Sequence, residues 1–533
     1  MLNESVWDLI ANRKDIDQRE CFAEIRACSN LRNIFSISEM EYISLIFILL
    51  SGILGVILWI RVNLCRPRNF PPGPQWLPFV GNSPQIRREG RKLGGLHRVY
   101  EEWTKVYRSK VLGMKLGGNF YVVGSSYDIV REIHMREEFE GRPKNFFMRL
   151  RTMGSLRGIT CVDGAMWAEH RAFAVKHLRN AGYGRQPMEL MIAEEMDDLI
   201  KLIDSLREAE GTFWPGKYLP VSVLNVLWTF TAGRRLGRDD ERIEKLLQLL
   251  QQRSRAFDMS GGVLSSMPWI RFFAPEWSGY NLIRRFNEEL KNLLMETIER
   301  HHATYTEEKS SDDLIYAFIK EMKMQEDNDK TTFSDIQLTM VILDIFIAGS
   351  QTTSTTIDLA LMALLLFPAM QEKIYREICE NGRKSHGNLP FTEAYLMEVR
   401  RFFNVVPISG PRRATRETNL GGYTVPKDTT ILINLHSVHM DVDFWGDPQV
   451  FRPERFLDDT GKICNVERLM PFGQGKRRCL GDTLARACIF TFFTGIVEKF
   501  KLSTGPQDEH PDVNLLPGIT LSPKPYKVLF EKR

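Results

Sequence analysis

Cysteine is scarce, with 8 in 533 residues. No two are spaced as CxxC, which argues against a zinc ribbon or a dithiol redox centre. The density is far too low for a disulfide scaffold, so a reducing compartment is the simplest setting for the main body. Neither sign of charge dominates: Lys plus Arg is 71, Asp plus Glu is 67, and the net charge is +4. That balance gives no sign of a nucleic-acid partner. Internal repeats and low-complexity linkers are missing too. Apolar residues make up 43% and charged residues 26%, which excludes disorder, collagen and coiled coil for the bulk of the chain.

What the chain does have is one long charge-free run, from Tyr42 to Ile60. As a helix it spans roughly 28 Å, close to the hydrocarbon thickness of a bilayer. Arg61, Arg66 and Arg68 follow within ten residues, whereas only Arg32 lies in the ten before. The positive-inside rule then predicts a transmembrane anchor with residue 61 onward in the cytoplasm. The run is long and lacks a small-residue cleavage site, unlike a signal peptide. Residues 1–39 carry five basic and seven acidic residues, unlike an acid-poor transit peptide. Met40 stands directly before the anchor, and a start there would spare this segment a crossing. We therefore expect 1–41 to be an N-terminal extension, followed by the anchor at 42–60. A basic, proline-rich hinge at 61–74 and a catalytic domain at 75–533 complete the expected order. Pro71-Pro72-Gly73-Pro74 forbids helix and reads as a stiff elbow.

Further on, Val111–Leu116 and Phe120–Val123 flank Gly117-Gly118-Asn119 and predict a β-hairpin. Ser126–Glu138 reads as a helix. From Trp167 to about Leu365 the pattern is mostly helical, with breaks near Gly211–Tyr218, Pro268–Gly279 and residues 304–313. Short strands are expected between Gly410 and Leu435, then a helix over about Leu480–Lys499 and terminal strands. The fold class is mainly α with small β-sheets, not a regular βαβ alternation. The longest helix should begin at the N-cap Ser334, with Gln337 as capping-box partner, and end near Leu366 before Phe367-Pro368. It is apolar around most of its circumference and should cross the interior. Midway stands Ala348-Gly349-Ser350-Gln351-Thr352-Thr353. Such small and hydroxyl residues either admit a close-packed helix or make room for a ligand.

Near the C-terminus lies Pro471-Phe472-Gly473-Gln474-Gly475-Lys476-Arg477-Arg478-Cys479-Leu480-Gly481. Two glycines permit a tight turn. Three cations and the start of a helix should favour a thiolate at Cys479. No second ligand is suitably spaced for zinc, so a single thiolate to a metal carried by something else, such as haem, is more natural.

Here the chain resembles the cytochromes P-450. Phe472, Gly475, Arg477, Cys479 and Gly481 match that family's haem-binding pattern F-x-x-G-x-R-x-C-x-G in full. Ala348–Thr353 resembles its long-helix motif, Glu398-Val399-Arg400-Arg401 its E-x-x-R, and Pro453-Glu454-Arg455-Phe456 its P-E-R-F. Trp167 and Arg171 match its W-x-x-x-R element. The resemblance covers residues 42 to 533. It implies the cytochrome P-450 fold, with haem b between the long helix and the Cys loop, and Cys479 as axial iron ligand. It implies that Arg171, Arg477 and Arg412 hold the haem propionates, with Trp167 beside them. Phe472 should pack near the sulfur, Gly475 belongs to the tight turn of the haem-binding pattern, and Gly481 should let the following helix approach the porphyrin. Glu398, Arg401 and Arg455 are expected to lock the region before the loop. Thr352 matches the threonine that guides protons to bound oxygen. The preceding position is usually acidic, and Gln351 departs from that, since an amide cannot relay a proton by ionising.

The reaction implied is monooxygenation, with electrons from NADPH through a flavoprotein reductase and with cytochrome b5 as a further donor. Lys476, Arg477 and Arg478 form a basic patch suited to an acidic partner. The aromatic segment Ser265–Tyr280 resembles the family's loop that dips into the bilayer, where Trp and Phe are favoured. Together these imply an endoplasmic-reticulum enzyme with a cytoplasmic catalytic domain and a small lipophilic substrate. The run Glu138–Pro143 resembles the insect branch, in which enzymes that epoxidise methyl farnesoate are the nearest type. Ecdysteroid and xenobiotic hydroxylases are neighbours. A haem-thiolate isomerase or a non-catalytic haem sensor are the competing classes.

Overall fold

The computed structural model describes residues 39–382, 388–505 and 510–533. Residues 1–38, most of the expected extension, lie outside them. The chain divides into two units, Met1–Cys65 and Arg66–Arg533.

In the first unit the helix Glu39–Leu64 contains the apolar run. From Ser44 to Leu64 it is long and apolar enough to cross a membrane, and its side chains are not buried within the protein. The second unit begins at Arg66, so residues 66–74 of the expected hinge pack as part of it. Arg66 Nη2 donates to the carbonyls of Gly73 and Pro74 at 2.5 and 2.7 Å. The Pro72 carbonyl accepts from Gly113 N at 2.8 Å.

The predicted hairpin is β1 (Val111–Leu116) and β2 (Asn119–Gly124), paired antiparallel from Val111↔Gly124 to Leu116↔Asn119. Its turn needs glycine at Gly117, where φ is 58° and a Cβ would lie 2.3 Å from the Ser266 carbonyl. The other strands are β3 (Ile408–Arg413), β4 (Thr418–Leu420), β5 (Tyr423–Val425), β6 (Thr430–Asn434), β7 (Phe500–Ser503) and β8 (Leu529–Lys532). β1-β2-β6-β3 form one sheet, with β2 and β6 parallel; β4-β5 and β7-β8 form two small ribbons. The remainder is mainly helix.

The helix expected over Ser126–Glu138 stops earlier, at Met135, and resumes as a 3-10 turn over Glu137–Phe139. Arg136 is extended because its guanidinium is taken by Thr418 Oγ1 and the Asn419 carbonyl, at 2.5 and 2.6 Å. Those two partners are remote in sequence, and they share the guanidinium with the local carboxylates of Glu132 at 2.6 Å and Glu138 at 3.2 Å.

The central helix, Asp335–Leu366, has Ser334 as N-cap, its side chain accepting from Gln337 N. The reciprocal half of a capping box is replaced: the Gln337 amide both accepts from Gly158 N (3.0 Å) and donates to the Gly158 carbonyl (3.1 Å). Two separate cores grip this helix. Leu338–Phe346 packs in one with Trp228, Phe286 and Phe318. Ile357–Leu365 packs in the other with Tyr395, Phe492 and Phe493. The small and hydroxyl residues lie between the two and border a cavity.

Candidate functional site

The cavity measures about 480 Å³, and both Cys479 and Thr352 line it. Cys479 lies deep in the fold, yet its surface is open on the cavity side. Its backbone N–H donates to the Phe472 carbonyl at 2.9 Å, which closes the loop. Gly473 and Gly475 have φ of 66° and 70°. A Cβ at Gly475 would lie 2.3 Å from the His134 carbonyl oxygen, so only glycine fits. Gly481 caps the helix Asp482–Lys499, and the nearest atom to a Cβ there is Tyr183 Oη at 4.0 Å.

Opposing influences meet at the Cys479 sulfur. Burial pushes the Cys479 thiol up, and this outweighs the Gly481 N–H, Arg171 and Arg478, which favour the anion. Arg477 turns away: its Nη1 and Nη2 donate to the carbonyls of Val162 (3.0 Å) and Glu140 (2.8 Å). An anionic sulfur here calls for a metal's charge, which deprotonates a coordinating thiol outright.

On the central helix the positions that pack closely and those that face the cavity stand side by side. Gly349 admits a packed helix, since a Cβ would come within 2.4 Å of Leu227 Cδ2 from Pro215–Ala232. Ala348, Gln351 and Thr352 face the cavity. Thr352 Oγ1 donates to the Ala348 carbonyl at 2.8 Å, leaving its lone pairs toward the cavity side. Ser350, Ser354 and Thr356 return the same bond four residues back, which favours a bend.

A group of guanidiniums stands beside the Cys loop without enough anions. Arg412 is buried and its Nη1 has no partner among the described residues; the same holds for Arg477 Nε and Arg142 Nε. Burial pushes Arg412 and Arg477 down to about 9, and Arg142 adds repulsion to both. Arg413, by contrast, is satisfied by Asp163 at 2.8 Å and Asp428 at 2.6 Å. Arg171 donates to the Arg478 carbonyl at 2.6 Å, and the Arg477 guanidinium lies 3.9 Å over the Trp167 ring. Phe472 lines the cavity beneath Arg486, 4.9 Å from its ring centre.

Away from the cavity, Glu398, Arg401 and Arg455 form a buried ion network. It gathers the carbonyls of His439 and Pro448 through Arg401, and those of Trp445 and Val450 through Arg455. The basic patch is partly neutralised: Lys476 meets Glu137 at 2.8 Å and Glu140 at 3.5 Å, and Arg478 pairs with Asp482. In the segment Ser265–Tyr280, Trp269, Phe272, Phe273 and Trp277 are all exposed.

The cytochrome P450 family pattern matches residues 71–530. The chain is a cytochrome P450. It is 47% identical over 505 residues to "Probable cytochrome P450 305a1" of Drosophila melanogaster, covering 92% of this chain and 100% of that protein. It is 34% identical to "Farnesoate epoxidase" of Bombyx mori over 471 residues, 87% of this chain and 94% of the relative. "Cytochrome P450 2J2" of Homo sapiens is 32% identical over 479 residues, 87% and 91% of the two chains.

Cytochromes P450 are haem-iron monooxygenases, and the donor set here fits that group. Haem carries two propionates, and Arg142, Arg412 and Arg477 present buried N–H groups that planar carboxylates would complete. Arg142 was not among the sequence-selected site residues. Nor was Arg400, which lines the cavity with Nη1 unpartnered. No spacing signal marks either one, because a guanidinium's lack of an anion is visible only in three dimensions.

Proposed function

We propose that this cytochrome P450 is a membrane-anchored monooxygenase acting on a small lipophilic substrate, with a sesquiterpenoid such as methyl farnesoate as the candidate. The observation that carries the reading is that Cys479 and Thr352 face one cavity beside anion-deficient arginines. In this proposal Cys479 would ligate the haem iron, and Arg142, Arg171, Arg412 and Arg477 would hold the propionates. Trp167 and Phe472 wall the porphyrin, and Gly475 and Gly481 keep the loop against it. Bound there, haem supplies an iron whose thiolate ligand favours O–O cleavage. One oxygen atom enters the substrate as a hydroxyl or epoxide and the other leaves as water. The chain's part is to move protons and exclude bulk solvent. Thr352 Oγ1 offers lone pairs to water on the cavity side, and the Gln351 amide orders that water without ionising.

Electrons come from NADPH through cytochrome P450 reductase, with cytochrome b5 as a second donor, docking near Lys476 and Arg478. The exposed aromatics of Ser265–Tyr280 enter the bilayer interface, so a substrate partitioned into lipid is within reach. In this reading the protein sits in the endoplasmic-reticulum membrane with the catalytic domain cytoplasmic, which the apolar helix and the arginines that follow it support. The 34% identity to the Bombyx mori farnesoate epoxidase supports a terpenoid substrate. The test is the carbon-monoxide difference spectrum of the reduced protein in microsomes, followed by NADPH consumption with methyl farnesoate and reductase. A strongly red-shifted Soret band with substrate-dependent NADPH use is expected. A folded protein without a haem band would overturn the reading.

A further inference from the structure

Arg253 lies near the end of the helix Glu241–Ala256 and lines the same cavity as Thr352 and Cys479. It is 3% exposed. Its guanidinium makes no ion pair and no hydrogen bond among the described residues, and Nε is fully enclosed. Its one described contact is the Phe286 ring, 5.5 Å from the guanidinium carbon. A buried cation without an anion is costly, and the cost is recovered only when a partner arrives.

The neighbouring charges do not supply that partner. Arg151 repels Arg253, and no carboxylate is among the charges acting on it. Asp344 is already committed: it pairs with Arg151 at 2.9 Å and accepts from the backbone of Ile159 and Thr160, each at 2.8 Å. It also takes the Thr160 hydroxyl. Asp258 borders the cavity but accepts from Ser260 N at 2.7 Å and from the Ser260 hydroxyl. Ser254 and Thr520, also on the lining, bond to each other at 2.9 Å. Asp344 balances Arg151, and Asp258, though a carboxylate itself, makes no ion pair with Arg253, so Arg253 is left without a carboxylate partner among the described residues.

We propose that Arg253 is the specificity-determining residue of this cavity and that the substrate is a lipophilic carboxylic acid, bound by its carboxylate. A planar fork of N–H donors matches a carboxylate in two parallel bonds. One unpaired guanidinium suits a monoanion better than a phosphate dianion. The acid's apolar chain then runs through the cavity that Thr352 and Cys479 share. This rests on the monooxygenase reading and narrows its substrate from an ester to an acid.

The test is calorimetric titration of the detergent-solubilised full-length holoprotein with two matched pairs: farnesoic acid with methyl farnesoate, and lauric acid with methyl laurate. Wild-type protein should bind each acid roughly tenfold or more tighter than its ester, because removing the anion leaves Arg253 unpaired. Arg253→Gln should erase the preference, bringing acid and ester affinities to within about twofold of each other, and Arg253→Lys should keep part of it. Arg253→Gln should also raise the melting temperature of the ligand-free protein, and the acid should no longer raise it further. Esters binding as tightly as acids to wild type, a preference that survives in Arg253→Gln, or no heat from either acid would each overturn the proposal. If a variant fails to fold, the wild-type comparison decides alone. The carbon-monoxide spectrum of the same preparation reports thiolate ligation separately, so a failed monooxygenase reading is told apart from a failed acid preference.

Discussion

Arg401 holds Glu398 by two parallel hydrogen bonds, Nε to Oε2 at 2.7 Å and Nη2 to Oε1 at 2.8 Å, with neither side chain exposed. Arg455 Nε adds a third at 3.2 Å. Glu398→Gln leaves two guanidiniums buried without a full counter-charge. A loss of about 3–5 kcal/mol is expected. Because both arginines gather carbonyls ahead of the Cys loop, haem content should fall as well. Thermal unfolding and the haem-to-protein ratio check this, and an unchanged melting temperature would refute it.

Gly475 combines a left-handed backbone with a Cβ position 2.3 Å from the His134 carbonyl. Gly475→Ala adds roughly 1–2 kcal/mol of backbone strain and drives the loop off the helix Tyr127–Met135 that carries His134. The carbon-monoxide band should shift away from the thiolate position, while far-ultraviolet dichroism stays close to wild type. A normal band in the variant would show that the loop tolerates the displacement.

Thr352→Ala should divert reducing equivalents to peroxide, since the hydroxyl beside the Ala348 carbonyl is lost. Gln351→Glu should retain activity, because it restores an ionisable group at that step. Peroxide and product per NADPH measure both. Tight coupling in Thr352→Ala would remove the proton role from this residue.

Asp358 is buried on the central helix and accepts from Tyr526 Oη at 2.7 Å. Burial lifts its carboxyl from 3.8 to about 7, with the Tyr526 hydroxyl opposing. The unfolded chain releases this proton first, so stability falls as pH rises from about 4 to 7 and is level above that. The full effect is of order 4 kcal/mol. Asp358→Asn keeps an acceptor for Tyr526 and removes the titration. It should raise the melting temperature at alkaline pH and change it little near pH 4. An equal shift at both values would show that the carboxyl is not the cause.

Legibility followed how local the determining interaction is. The hairpin at Gly117 and the ends of the central helix at Ser334 and Phe367 are set by neighbours in sequence, and they were readable. So was the Cys loop, whose two glycines and sulfur sit within seven positions. Arg136 ends its helix early because of Thr418 and Asn419, and Gln337 leaves its cap for Gly158. Lys476 loses its free charge to Glu137 and Glu140. Each of these partners is far away along the chain. At Cys479 the sequence displays the cations but not the burial that opposes them, because burial is set by remote elements. Arg142 and Arg253 went unnoticed since a missing partner leaves no trace in a string of letters.

The central helix is clamped at both ends by separate cores and borders open space at its waist. A rod held this way bends most easily at its middle, where Gly349 and the back-bonded hydroxyls already lower its stiffness. Sequence changes at the waist therefore alter the cavity wall at Ala348, Gln351 and Thr352 without touching a residue of either core.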